Sequence, residues 1–547
     1  MRVGKTYRFL AFLLLTFLTV PDSWGQFLDP REAKQFFDKG NYKSAIGVYK
    51  KLLQKDRSNA EYNHKLALCF LRTNIDRTLA ISYLEKCLKQ PKIDPEVYFD
   101  LGMAFQYALK FKNAIESYEN YRKSGATKRL DQVDRKIEMC NNGKWLVRNK
   151  QTIVFEHLGS TINSKYPDYY PFVAKDESFI VFTSRRGGVL EFDGFYQSDI
   201  YLSTYGETAF LKAGRGNANI NSDFDDQTVG LSDNADKLFV YFDNIKDVGD
   251  IHVANKEGKR ISKMVKLGVN VNSDALETSC SISADGNTLF FTSSRSGGEG
   301  GLDIYMSRRL PDETWGLPQN LGSQINSKYN EDFPTLSADG QTLYFCSEGH
   351  NSMGGYDIFT SEWEDQSNSW SKPKNIGYPI NDAMDNRTIS FLEDGKTAYI
   401  SALREEGMGD LDIYRVLFPS QVLIRLQLPT SDPENPFITD AYVQIDNPAM
   451  EMPMMGMHMA MPNIIGGFPG VDKGVTVMMK NLMAKKGVAS IEDLREAAVE
   501  TDVRLIACQM TLDLFEIKDT DLIDGVEIGG AATALEVAGK ADINYFM

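Results

Sequence analysis

The strongest constraint on this chain is a repeat: five segments between residues 151 and 418 share one layout at a period of about 54 residues. Each carries an Asn motif: Ile162-Asn163-Ser164, Ile220-Asn221-Ser222, Val271-Asn272-Ser273, Ile325-Asn326-Ser327 and Ile380-Asn381-Asp382. A turn with Asp follows, at Asp176, Asp233, Asp285-Gly286, Asp339-Gly340 and Asp394-Gly395, then an alternating apolar run such as Thr288-Leu289-Phe290-Phe291. Each copy closes on Asp-Ile and a ring: Asp199, Asp250, Asp303, Asp357 and Asp412, spaced 51, 53, 54 and 55 residues. Asp-Gly between alternating runs marks a hairpin. A four-stranded blade cannot bury both of its faces, so the copies must stack around an axis. The spacing predicts five blades, with Thr152-Ile153-Val154-Phe155 closing the ring against the last one.

This pattern resembles the WD-like, TolB-type β-propeller, and the resemblance allows a sixth, degenerate blade. The Asp residues recur at equivalent places, so they are expected to hold turns and loops. Arg185, Arg186, Arg295 and Arg404 follow equivalent strands. A sialidase-like propeller clamps a carboxylate with arginines, but a catalytic cluster breaks symmetry and these residues keep it. His350 stands in a Gly-rich loop with no evident partner, and Trp315 and Trp370 read as packing between blades. A propeller glycosidase would instead require an asymmetric acid pair or Arg cluster at one mouth of the ring.

Between residues 31 and 125 the period shortens to about 34. Ala33, Ala67 and Gly102 are each followed three residues later by Phe36, Phe70 and Phe105; Ala45, Ala80 and Ala114 are followed by Tyr49, Tyr83 and Tyr118. Small and aromatic residues one turn apart are what closely packed short helices need. Gly40-Asn41-Tyr42 and Leu109-Lys110-Phe111 mark intervening turns, and residues 127–149 read as a capping helix. Cys69, Cys87 and Cys140 have no metal-type spacing and are expected in the core. The array resembles the tetratricopeptide repeat (TPR), best in the copy from Tyr98 to Tyr118, which implies a binding surface without chemistry.

A chain of 547 residues is too long for one core. Arg2, Lys5 and Arg8 precede a 12-residue apolar run, Phe9 to Val20, broken at Pro21; residues 1–25 read as a secretory signal, short for a membrane span. No transmembrane span is expected after its cleavage, and no nucleic-acid role for an exported chain. Net charge is −15, yet residues 31–150 carry +11, an asymmetry that suggests a partner surface, although a solvated helical face is the preferred reading of the basic stretch. A signal, helical repeats and this propeller together resemble the N-terminal part of OmpA-family envelope proteins such as the PorE component of type IX secretion. Residues 419–446 read as the start of their small β domain. Their peptidoglycan-binding domain has no counterpart in this sequence, so direct peptidoglycan anchoring is not expected.

After residue 446 the character changes. Seven methionines fall between 450 and 461, around His458; soft thioethers bind Cu(I), but adaptable packing is the preferred reading. Ser490 to Glu500 reads as a helix, Val503 to Cys508 as a buried strand, Gln509 to Phe515 as a helix and Val526 to Gly529 as a strand. Met461-Pro462-Asn463-Ile464-Ile465-Gly466, Ile506-Ala507-Cys508-Gln509-Met510 and Asp524-Gly525-Val526-Glu527-Ile528-Gly529-Gly530-Ala531-Ala532 carry a resemblance to the C-terminal half of the DsrE/DsrF-like sulfur carriers. That resemblance implies Cys508 as a persulfide carrier, activated if the following helix points its N-terminus at the sulfur; a buried inert thiol is the alternative. The family's first strands have no counterpart before residue 447, a pattern that fits a natural fusion, a truncated gene joined out of context, or a chimera.

The sequence thus predicts a multidomain α plus all-β protein: a signal at 1–25, TPR helices at 26–150, a propeller at 151–418, a β segment at 419–446 and a partial α/β segment at 447–547. The expected role is a non-enzymatic envelope scaffold in the periplasm or on the periplasmic side of the outer membrane, binding other envelope proteins through the helical and propeller surfaces. No cofactor and no metal is expected. The alternative is an exported thiol protein using Cys508.

Overall fold

The computed structural model describes residues 29–242 and 249–418, and four later strands at 422–429, 437–445, 505–508 and 526–529. The expected signal at 1–25, the Met-rich run around His458 and the expected helices at 490–500 and 509–515 lie outside the described residues. The chain divides into two units after Phe418.

The first unit begins with helices α1 (Pro30–Asp38), α2 (Tyr42–Lys55), α3 (Ala60–Leu71), α4 (Ala80–Cys87), α5 (Glu96–Tyr107), α6 (Phe111–Lys123) and α7 (Leu130–Arg148), each packed on the next. Asp29, Asn41 and Asn59 accept hydrogen bonds from orphan amides at three helix starts, and Pro30 opens α1 where no amide is needed. The repeated small positions are fully buried: Ala33, Ala45, Ala67, Ala80 and Ala114 have no exposed surface. Gly102 shows why they must be small. A Cβ on it would meet the Tyr118 ring at 2.5 Å, so only glycine lets α5 and α6 close on that side chain. Among the described residues, no helix is long and apolar enough to cross a membrane.

Five sheets follow, as expected from the repeat. Blade one pairs Asp168–Val173, Phe179–Ser184, Asp199–Thr204 and Gly214–Arg215; blade two pairs Asp226–Leu231, Lys237–Phe242, Asp250–Glu257 and Val265–Lys266. Blade three pairs Glu277–Ile282, Thr288–Ser293, Asp303–Arg308 and Gln319–Asn320; blade four pairs Glu331–Leu336, Thr342–Ser347, Asp357–Glu364 and Lys374–Asn375. In blade five, Ile389–Phe391, Thr397–Ala402 and Asp412–Leu417 are completed by Val154–His157, the strand that precedes blade one. Val154 pairs with Leu417 and His157 with Tyr414, so the ring shuts with five blades through the strand singled out for that role. Closure buries the faces of the first and last blades that an open array would expose and leaves only short, protected sheet edges. Trp370 packs between blades, 6.1 Å from the Phe290 ring of blade three.

The Asn motif holds one blade to the next. The Asn163, Asn221, Asn272, Asn326 and Asn381 amides each accept from the N–H and donate to the C=O of one Ile, respectively Ile413, Ile200, Ile251, Ile304 and Ile358. The side chain thus stands in for a strand at a buried backbone that would otherwise be unpaired. Asn163 reaches across the seam to Ile413 and repeats the clamp where the ring closes. Five residues on from each Asn lies a second polar position, Asp168, Asp226, Glu277, Glu331 and Asn386. The four acids each accept from the backbone N–H and hydroxyl of the motif serine, and Asn386 accepts from the Asp382 amide.

The helices and the ring form one unit. The blade-four loop at 348–356 inserts Met353 into the helical core. Arg135 of α7 donates to the carbonyls of Glu348, Gly349 and His350 and to the Ser352 hydroxyl, with its guanidinium over the Tyr329 ring. Gln106 donates to the Met353 carbonyl at 2.9 Å. A second anchor joins Lys43 and Asn74 to Asp410 of blade five.

In the second unit, Val422–Pro429 pairs antiparallel with Phe437–Ile445. Further on, Leu505–Cys508 pairs with Val526–Gly529 in parallel, the α/β pairing expected of those two segments.

Candidate functional site

Three places bear on function: a groove in the helical stack, the repeated polar residues of the ring, and the strand that ends at Cys508. The groove encloses about 570 Å³ between α1, α3, α4 and α5. On one wall Asp100, almost fully buried, accepts from His64 Nε2 at 2.7 Å and from Arg129 at 2.8 Å. Arg129 also reaches Glu96 at 2.7 Å and lies over the Phe99 ring. Burial works against the Arg129 charge, but Asp100 and Glu96 more than offset it and hold its pKa above the ordinary value. Glu96 and Asp100 are therefore already committed. Lys65, Arg72, Lys92 and Lys128 line the same groove and pair with no carboxylate among the described residues. Lys65 and Arg72 stand over the Phe37 ring at 4.2 and 5.3 Å. Glu61 and Asp94 line it too, so the groove carries a small excess of positive charge beside the Phe37 ring.

The three helical cysteines are core residues, as expected. Burial pushes the Cys69 and Cys140 thiols up to about 12 and Cys87 up to about 11, so none is a thiolate at neutral pH.

In the ring, the closing aspartates hold structure. Asp199 binds Arg215 through both oxygens, and Asp357 accepts from the Met353 and Gly354 amides and from Asn375. Arg186 and Arg295 each reach back to a carbonyl of the Asn motif, at Ile162 and Val271, and to the buried acid of their own blade. The expectation that His350 has no partner is corrected: its Nε2 lies 2.9 Å from the Ile325 carbonyl, the place Arg186 and Arg295 fill in other blades. A carbonyl only accepts, so Nε2 carries the proton, and burial holds the imidazole pKa below its usual value. Arg404 departs from the set. It pairs with Glu406 and lies over the Phe155 ring at 3.9 Å.

Cys508 ends its strand level with Gly529 of the parallel neighbour. Ligand sites in open parallel sheets lie outside the carboxyl ends of the strands, where Cys508 and Gly529 both stand. Residues 438–546 match the model of the DsrE/DsrF/DrsH-like family. The DsrE-like segment is 50% identical over 103 residues to the sulfur carrier protein DsrE2 of Allochromatium vinosum, covering 19% of this chain and 64% of that protein. It is 37% identical over 70 residues to the uncharacterized protein YrkE of Bacillus subtilis, covering 13% of this chain and 44% of that one. The chain thus spans less than two thirds of the length of either relative. Among solved structures, TolB from Acinetobacter baumannii is similar over 52% of this chain and 70% of its own, at 12% identity and a TM-score of 0.29. Blade number and closure rest on the strand pairing described above, not on that likeness.

Proposed function

We propose that the helical stack and the propeller form a docking scaffold for an acidic protein partner in the cell envelope. The observation that supports this reading most is the groove, in which Lys65, Arg72, Lys92 and Lys128 remain without carboxylate partners beside the Phe37 ring. Such a surface steers and holds an oppositely charged segment. Assignment of the helical pairs as TPR copies, the kinship with OmpA-family and PorE-type proteins, export by residues 1–25 and a periplasmic location belong to the same proposal. In-cell crosslinking of the full chain, with fractionation, tests it. Lys65→Glu with Arg72→Glu should abolish specific crosslinks while leaving the melting temperature unchanged. Unchanged crosslinks in that variant defeat the reading, as does a cytoplasmic location.

A second reading is supported by the DsrE-like segment and by Cys508 at the carboxyl end of a parallel strand. In it the Cys508 thiolate takes the outer sulfur of a donor persulfide and releases the donor as a thiolate. Intact-mass measurement after incubation with a persulfide donor should show a gain of one sulfur atom, absent in Cys508→Ala. No gain in the native chain would refute it.

A further inference from the structure

The repeat holds at the clamping Asn and at the polar position five residues on, but it fails at the residue after that. There the five blades present Tyr169, Gln227, Thr278, Asp332 and Arg387. Equivalent places in a closed ring meet equivalent demands, so a position that differs in every blade is one the ring does not dictate. Three of these residues line a cavity of about 390 Å³ at the mouth of the ring, where Asn74 and Arg77 from the helical stack supply part of the wall. The other two connect to it. Thr278 donates to Asp332 Oδ1 at 2.7 Å, and Asp332 Oδ2 lies 3.9 Å from the Arg387 guanidinium.

Two side chains here are held by little else. Arg387 lies over the Tyr356 ring at 4.0 Å and faces Asp332 and Asp385 at 3.9 and 3.8 Å, too far for hydrogen bonds. Neither its guanidinium nor the Gln227 amide makes a hydrogen bond among the described residues. The Arg387 side chain keeps 29% of its surface exposed, so those donors are available to a ligand in the cavity. Arg77, Arg185 and Arg387 line the cavity together with Asp382, Asp385 and Asp410, three charges of each sign, so the locality does not favour an anion. Tyr169 and Tyr170 add two rings set edge to face, with centroids 4.7 Å apart.

We infer that this cavity binds a neutral saccharide of one or two rings, gripped by Arg387, Gln227 and Asp385 and packed on the tyrosine rings. Hydroxyls both donate and accept, so they satisfy an alternation of guanidinium, amide and carboxylate that a carboxylate ligand would not. The apolar face of a pyranose suits an aromatic wall, and the volume lies in the range of small-molecule sites. Because Asn74 and Arg77 belong to the helices, an occupied cavity would also tie the two modules together.

The test is calorimetric titration of the full chain with glucose, galactose, mannose, N-acetylglucosamine and, for contrast, galacturonate. At least one neutral sugar should bind with a dissociation constant of about 1 mM or tighter. Gln227→Ala, which removes an amide the fold does not use, should weaken that binding tenfold or more; Arg387→Leu should do the same if it folds. Lys259→Ala, at an exposed turn of blade two, should leave it unchanged. Failure of every neutral sugar to bind at about 20 mM, binding of galacturonate alone, or full affinity in Gln227→Ala would each overturn the inference.

Discussion

The helical stack and the ring are both repeats, yet they are held by different physics. In the stack the repeat is a matter of volume: alanines and Gly102 let helices approach, and rings such as Phe70, Phe99 and Tyr118 fill what remains. In the ring the repeat is a matter of polar replacement, in which an asparagine amide supplies the hydrogen bonds of a missing strand and a buried carboxylate gathers the turn beneath it. A volume repeat tolerates chemical change at constant size. A hydrogen-bonded repeat tolerates change of size but not loss of a donor or acceptor.

The largest expected effect is Tyr118→Ala. It empties a fully buried site against Gly102 and breaks the relay from the Tyr118 hydroxyl through Gln106 to the Met353 carbonyl. A loss of about 3–5 kcal/mol in chemical denaturation is expected, by analogy with other buried aromatic deletions. Tyr118→Phe should lose about 1 kcal/mol, the hydroxyl alone. Asn326→Ala should cost about 2–3 kcal/mol, because it strips both hydrogen bonds from Ile304 and leaves that buried backbone unpaired. If Asn326→Leu, closer in size, is as stable as the native chain, the polar account of the ring fails.

Arg135→Leu comes next, at about 1.5–3 kcal/mol. It removes the guanidinium from the carbonyls of Glu348, Gly349 and His350. Here the two modules should begin to unfold separately, visible as two calorimetric transitions where the native chain shows one. A single transition would mean that Met353 and the Asp410 anchor suffice to couple them.

The mildest effect is a pH slope confined to the ring. Burial raises the Asp357 carboxyl to about 7, from an ordinary 3.8. Its raised folded-state pKa means that the contribution is fully present below pH 3.8 and fades as pH rises through about 7. The hydrogen bonds from Asn375, Met353 and Gly354 favour the charged form and hold the rise to about 7. Asp357→Asn should flatten the fall in melting temperature over that range. An equal slope in native and variant proteins would place the titrating group elsewhere.

Much of this is legible in the sequence because both repeats keep similar residue types at fixed spacing. The Asn motif, the closing Asp-Ile pairs and the strand beginning at Thr152 led to five blades and a closed ring, and the Ala and Tyr spacing led to the helices. The buried acid position was missed although it stands five residues from every Asn, because its identity wanders among Asp, Glu and Asn. The His350 partner was hidden for another reason: the Ile325 carbonyl belongs to a turn 25 residues earlier, and histidine there takes the place of arginine. The mouth cavity could not be read from periodicity at all. Its residues are those that do not repeat, and part of its wall comes from helices far away in the chain. Leu505–Cys508 is a strand with Val526–Gly529 as its parallel neighbour, and the helices expected around it lie outside the described residues.

The seam has a consequence for how the molecule comes into being. Val154 pairs with Leu417, so the latch is synthesised before the first blade and its keeper after the last. Until the keeper emerges from the ribosome, a partly made toroid carries two raw borders, each a template for stray pairing. The helices are complete long before then. A nascent chain therefore owns its helical stack while its wheel is still open, and any truncation short of residue 412 leaves it so.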